Sequence, residues 1–316
     1  MDSRRALILN FSVAGFFILV LFFLLGQSLY RESSRAAVLP SGFAVSPAPS
    51  VSYPRVTYLP VNRSGSSSAA PDSFQPSFKA GSVLLYNLTK HKPVFQYLPD
   101  EKMQLASVTK LMTAYLAERE VKNKNRIFIV QEQDLQVEYA NPKLKPGASL
   151  TFSQALRFLL IASDNSVANL IARETASTTV EFVRQMNWTA LMELDMQNTR
   201  FYDAIGLAAN VSTASDLVKL TDKILRDYPE IFRISLYPQT TILAEGGESY
   251  FLKNTNILVD KIPGLIGGKT GYTPEAGGSL LVVFQSGSDT LVSVVLGSED
   301  RFGDTAGIIQ WYLRQN

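Results

Sequence analysis

Leu105-Ala106-Ser107-Val108-Thr109-Lys110-Leu111-Met112-Thr113-Ala114 is the stretch from which the rest of the chain is read. The pattern predicts a helix from Ser107 to about Val121, and on a helix the i, i+3 pair Ser107 and Lys110 falls on one face, one turn apart. A serine hydroxyl is a weak nucleophile until a neighbouring base takes its proton. A lysine can be that base only where desolvation or a second cation lowers its pKa, and Leu111, Met112 and Ala114 supply an apolar setting. Alone, a Ser-x-x-Lys arises about once by chance in a chain of this length, and its plainest reading is a helix start with a solvated lysine. The surroundings must decide.

Upstream, Ser82 to Leu88, a polar turn at Thr89 to Lys92 and Val94 to Leu98 read as a hairpin. Downstream, Thr151 to Leu225 is helical in pattern, opening on a capping box of Thr151 and Gln154. Strand-like runs follow at Gly267 to Thr273, Ser279 to Gln285 and Leu291 to Leu296, then a helix from about Asp304 to Leu313. Strands at both ends with helices between them predict an α/β fold of the α+β kind, an antiparallel sheet whose first and last strands meet, covered by helices, with a helical subdomain beside it. A cleft between the two parts is the natural site.

Two further motifs bear on that cleft. Ser163-Asp164-Asn165 lies between two apolar helical runs, so it is expected on the connecting turn. Ser163 could there relay a proton between Lys110 and a leaving amine, and Asn165 could hydrogen-bond a peptide backbone. By itself, Ser-Asp-Asn is an ordinary helix N-cap. Lys269-Thr270-Gly271 sits on a predicted strand flanked by Gly267, Gly268 and Tyr272. Glycine there admits a close substrate backbone, while Lys269 and Thr270 offer a cation and a hydroxyl to a carboxylate and a second charge to depress the pKa of Lys110.

Composition narrows the chemistry. The 316 residues are 46% apolar, enough for a sizeable core. A net charge of +2 without a basic block predicts no nucleic-acid partner. No cysteine and a single histidine, His91, exclude disulfides, thiol catalysis and a multi-histidine metal site, so no metal or cofactor is expected. The apolar run Ala6 to Gly26 is long enough to span a bilayer. It is read as an uncleaved anchor because no small-x-small cleavage site follows it. The Ser/Pro/Ala-rich stretch from Arg31 is a tether. The expected organisation is 1–30 cytoplasmic tip and transmembrane anchor, 31–79 linker, and 80–316 a domain displayed outside the cell membrane.

The order Ser-x-x-Lys, Ser-x-Asn, Lys-Thr-Gly resembles that of the low-molecular-mass penicillin-binding proteins, specifically the serine D-Ala-D-Ala carboxypeptidases, over about Ser82 to Trp311. Asn198-Thr199-Arg200-Phe201, Gly206-Leu207 and Ser212 to Leu217 add to it. The resemblance implies a β-lactamase/transpeptidase-like fold and hydrolysis of the terminal D-Ala-D-Ala bond of peptidoglycan stem peptides through an acyl-enzyme, with β-lactam antibiotics as ligands. It implies Ser107, Lys110 and Ser163 as catalytic residues, the N–H groups of Ser107 and Tyr272 as the oxyanion hole, and Asn165, Lys269, Thr270, Gly271 and Arg301 for substrate. Alternatives are an endopeptidase acting on cross-links, a non-catalytic penicillin-binding sensor, and a β-lactamase. Class A β-lactamases need a glutamate beyond the second motif, and the nearest here, Glu193, lies in Glu193-Leu194-Asp195-Met196, which is similar to the DD-peptidase pattern instead.

Overall fold

Alternation along the strands builds a sheet buried on both faces. Strand β1 (Ser82–Asn87) sends Val83 and Leu85 to one side and Leu84 to the other. Near the C-terminus, β6 (Gly277–Ser286) splits Leu280, Val282 and Phe284 from Leu281 and Val283, and β7 (Asp289–Ser298) splits Leu291 and Val295 from Val292, Val294 and Leu296. Such period-two sorting, with no polar face left, is what two helical covers require. The computed structural model describes residues 76–315. Of the two compact units into which the chain divides, Met1–Ser68 and Ala69–Asn316, every described residue belongs to the second. The predicted anchor and nearly all of the linker lie outside the described residues.

With β2 (Lys92–Tyr97) and β5 (Leu265–Thr273), these strands form a five-stranded antiparallel sheet in the order β2-β1-β7-β6-β5. The first and last strands do meet, in the register Leu84↔Val294. The C-terminal helix (Arg301–Gln315) lies on one face through Ile308, Ile309 and Tyr312. Its place is fixed by Asp304, whose carboxylate accepts from the Lys79 N–H and the Ser298 hydroxyl.

The other face carries the helical block, with helices α1 (Lys110–Glu120), α2 (Phe152–Leu160), α3 (Asn165–Ala176), α4 (Thr179–Trp188) and α5 (Ala214–Asp227). The Thr151/Gln154 capping box opens α2 as expected, each side chain bonding the other's main chain. Two features depart from the reading of the sequence. The helix expected from Ser107 begins as a 3₁₀ turn, Ala106–Thr109, and becomes α-helical only at Lys110. A second hairpin, β3 (Gln239–Leu243) with β4 (Ser249–Lys253), lies outside the main sheet. Among the described residues no helix is long and apolar enough to cross a membrane.

Candidate active site

The 3₁₀ turn has three residues per turn, which sets Ser107 and Lys110 one above the other. Ala106, just before the serine, has φ +46°, a left-handed conformation that costs a non-glycine residue on the order of 1 kcal/mol and persists only where the surroundings hold it. Two glycines do so. A Cβ on Gly206, which has φ +98°, would lie 2.0 Å from the Ala106 carbonyl oxygen. A Cβ on Gly271 would lie 2.7 Å from the Leu105 carbonyl oxygen and 3.0 Å from Ser107 N. The serine turn is thus clamped between a loop and strand β5, at a distance only glycine permits on either side.

Lys110 is fully buried, and its Nζ has three neighbours: Ser107 Oγ at 2.9 Å, Asn165 Oδ1 at 2.8 Å and the Ile205 carbonyl at 2.9 Å. Burial pushes its pKa down to about 7, although the carboxylates of Asp164 and Asp203 favour the charged form. A group with that pKa is substantially neutral at physiological pH and able to take a proton.

Ser163 and Asn165 flank Asp164, whose side chain accepts the Val167 N–H and caps α3. Burial raises the Asp164 pKa, against the hydrogen bonds from the Val167 N–H and the Asn141 amide. Ser163, at the predicted connecting turn, has φ +58°. Its Oγ accepts from Lys269 Nζ at 2.8 Å, and among the described residues no hydrogen bond joins it to Lys110. The expected Ser163 contact with one lysine is therefore made to the other. Asn165 spends one amide hydrogen on the Glu138 carbonyl and keeps a second.

On β5, Lys269 and Thr270 are buried and Tyr272 is exposed. The Lys269 pKa lies well below its ordinary value, first through burial and then through the positive charges of Lys110 and Arg301. The repulsion between the two buried ammonium groups acts on both, and it adds to burial in favouring the neutral form at Lys269. Lys110 is lowered by burial. Thr270 Oγ1 lies 2.6 Å from Thr255 Oγ1, a partner no motif contained. Arg301 packs between the rings of Tyr272 and Phe302, its guanidinium 5.6 and 4.5 Å from their centres. Its buried Nε has no hydrogen-bond partner among the described residues, and burial lowers its pKa.

Glu193 is placed elsewhere. Its carboxylate takes both bonds from Arg119, nine residues and about 13 Å along α1 from Lys110. It is not available to activate a water at Ser107, and no group of three or more His, Cys, Asp or Glu suited to a metal ion occurs among the described residues. Residues that sequence reading passed over are Thr255, the Ile205 carbonyl with its loop, and Thr113, whose hydroxyl donates to the Ala204 carbonyl at 2.6 Å. The sequence reading touched that loop only through Gly206-Leu207, as part of the resemblance.

A serine and a buried lysine stacked on one turn, a Ser-x-Asn turn opposite and a Lys-Thr-Gly strand closing the gap define an active-site-serine enzyme of the penicillin-binding type. The family model described as D-alanyl-D-alanine carboxypeptidase matches residues 68–300. A D-alanyl-D-alanine endopeptidase of Haemophilus influenzae is 35% identical over 67% of this chain and 73% of that protein. The D-alanyl-D-alanine carboxypeptidase DacF of Bacillus subtilis is 29% identical over 70% of this chain and 58% of that one. Among solved structures, a D-alanyl-D-alanine carboxypeptidase from Mycobacterium tuberculosis is 26% identical and superposes with a TM-score of 0.71, covering 78% of this chain and 96% of that one. An ampicillin-bound penicillin-binding protein D2 from Listeria monocytogenes, also 26% identical, gives 0.65 over 73% and 96%. The chain belongs to the D-alanyl-D-alanine carboxypeptidase family, and it is a serine DD-peptidase.

Proposed function

We propose that the chain removes the last D-alanine from peptides ending in D-Ala-D-Ala, with Ser107 as nucleophile and neutral Lys110 as its base. The observation that carries this reading is a fully buried amine of pKa about 7 lying 2.9 Å from a serine hydroxyl. Ser107 Oγ adds to the penultimate carbonyl while its proton passes to Lys110. The oxyanion that forms is received by the main-chain N–H groups of Ser107 and Tyr272. The C–N bond then breaks as the proton held by Lys110 passes through Ser163 to the leaving nitrogen, and an acyl-serine remains; Lys110, neutral again, takes a proton from the water that attacks it and returns that proton to Ser107 Oγ as the acyl group leaves. Asn165 bonds the substrate backbone through its second amide hydrogen. Lys269, Thr270 and Arg301 hold the terminal carboxylate, and Gly271, expected to admit the substrate backbone, instead keeps β5 against the serine turn, because its missing side chain faces Leu105 and Ser107.

The test uses a β-lactam, whose strained amide the same serine opens. Penicillin should leave one covalent adduct, mapped by peptide mass spectrometry to Ser107. An adduct elsewhere, or labelling of Ser107→Ala, would overturn the assignment.

Cleavage of cross-links is the second reading, favoured by one observation. Two D-alanyl-D-alanine endopeptidases are 35% and 30% identical to the chain, against 29% and 28% for the carboxypeptidases DacF and DacC. Chromatography of digests of purified monomeric pentapeptide and cross-linked dimer separates the two, since only an endopeptidase consumes the dimer. Both readings include the membrane anchor at Ala6 to Gly26 and a catalytic domain outside the cell. Deleting residues 1–30 should move the protein from the membrane to the soluble fraction with turnover of a small peptide unchanged. A truncated protein that stayed with the membrane would point to another anchor.

A further inference from the structure

Of the three neighbours of Lys110 Nζ, the Ile205 carbonyl belongs to none of the three motifs. It is carried by the loop from Asp203 to Asn210, and that loop is wound around a single carboxylate. Asp203 Oδ1 accepts the N–H groups of Ile205 at 3.0 Å and Gly206 at 2.6 Å and the Asn210 amide at 2.8 Å. Its Oδ2 accepts those of Leu207 at 2.9 Å and Ala208 at 2.6 Å. Four successive main-chain donors converging on one anion form a nest, and each such bond is charge-assisted. Asn210 ties the same knot to the serine helix, donating to Thr109 Oγ1 at 3.0 Å. The loop therefore meets that helix at Ala106 through Gly206, at Thr109 through Asn210, at Lys110 through Ile205 and at Thr113 through Ala204.

The chemistry of a neutral amine makes this geometry consequential. Such an amine has two N–H donors and one lone pair, and it acts as a base only if the lone pair points at the proton it takes. Here two of the three neighbours, Asn165 Oδ1 and the Ile205 carbonyl, can only accept. They occupy the two N–H groups, and the lone pair is left directed at the Ser107 hydroxyl. Without the Ile205 carbonyl the amine can rotate, and its alignment with Ser107 is lost.

We propose that Asp203 is the positioning residue for the base: by gathering the main chain of residues 205–208 around its carboxylate, it delivers the Ile205 carbonyl to Lys110 and so aims the amine at Ser107. This rests on the reading of Lys110 as the base. The charged groups facing Lys110 are Asp164 from the cap of α3, Asp203 from the loop and Lys269 from β5, with Arg301 beyond it. Asp203 holds the Lys110 pKa up against burial. Its removal therefore has two consequences of different kind: the rate at high pH falls as alignment is lost, and the acid limb of the profile moves to lower pH as the negative charge goes. A residue that merely kept the loop folded would change the amount of active protein and leave the high-pH rate per labelled chain unchanged.

The experiment follows covalent labelling of the full-length protein by a fluorescent penicillin from pH 5 to 9, recording both the rate and the final stoichiometry. Wild type, Lys110→Ala, Asp203→Asn, Asp203→Glu and Asp203→Ala are compared. Asparagine retains the size of the side chain but turns an N–H₂ towards two N–H donors, so it breaks half of the nest. For Asp203→Asn the expected result is one label per chain at the end point, a high-pH rate lowered about ten- to a hundredfold and an acid limb displaced downward. Asp203→Glu should recover part of the rate. A wild-type high-pH rate in Asp203→Asn, or a slow rate fully explained by fewer labelled chains, overturns the proposal. If Lys110→Ala labels as fast as wild type, Lys110 is not the base and the proposal falls with that reading, an outcome distinct from failure at Asp203 alone.

Discussion

Gly271→Ala is the most direct probe of the clamp around the serine. The new Cβ would stand 2.7 Å from the Leu105 carbonyl oxygen and 3.0 Å from Ser107 N, whereas ordinary contact begins at 3.4 Å. Relief therefore needs a separation of about 0.7 Å between β5 and the serine turn, from 3.4 less 2.7. The opposite side of the turn is braced by Gly206, so β5 must yield. Strand β5 is paired only with β6 in the main sheet and forms its edge, which lets it shift without unfolding the core. That shift opens the gap between the N–H groups of Ser107 and Tyr272. Misplacement by about 1 Å can cost a hundredfold, and loss of one oxyanion donor roughly a hundred- to a thousandfold. The acylation rate by a chromogenic β-lactam, measured by stopped flow, should fall by about two orders of magnitude, while the melting temperature moves by a few degrees at most. Gly307→Ala is the control, because nothing lies within 4 Å of a Cβ there and the site is helical. It should be neutral or slightly stabilising. Wild-type acylation in Gly271→Ala with an unchanged melting temperature would refute the clamp.

Three other expectations follow from the same geometry. Because the neutral amine is the active form, acylation should rise with pH through a limb near 7 and level off above it, falling about tenfold per unit below; a flat rate from pH 5 to 9 would exclude Lys110. Peptides ending in a free D-Ala-D-Ala carboxylate should be cleaved roughly tenfold to several thousandfold faster than the same peptides capped as amides, since each lost charge-assisted bond costs about 1.5 to 3 kcal/mol. Thr255→Val removes the partner of Thr270 Oγ1 and should narrow that ratio by slowing the acid alone; an equal loss on acid and amide would show that Thr255 acts on the fold instead.

What could be read in advance was what leaves a mark on side-chain pattern. Short apolar runs between glycines and polar turns exposed the strands of the main sheet, the Thr151/Gln154 pair exposed the start of α2, and the three motifs exposed the cluster around Ser107. The hairpin of β3 and β4 was missed because Leu243 and Phe251 are exposed while Ile242 and Tyr250 are buried, so hydropathy does not alternate. The 3₁₀ start of the serine helix leaves no mark, since its spacing of i and i+3 serves both helix types. The Asp203 loop was illegible for a different reason. Four of its five donors are main-chain N–H groups, which every non-proline residue possesses. An aspartate ahead of Ala-Ile-Gly reads only as a turn.

The origin of the lowered Lys110 pKa also says where the site is vulnerable. Desolvation is the leading cause, and the two carboxylates oppose it. The amine is thus a base chiefly because water is kept out. Water is excluded by the same surfaces that align the amine: the Gly206 face of the loop, Asn165 and the serine turn itself. A perturbation that opens any of them has a double effect, since it frees the amine to rotate and also solvates its charged form. Solvation moves the pKa back towards 10.5, so at neutral pH the proton stays on nitrogen and the lone pair is gone. Charge removal at Asp203 and water entry at the loop therefore shift the acid limb in opposite directions, which makes the sign of that shift a measure of how the site has failed.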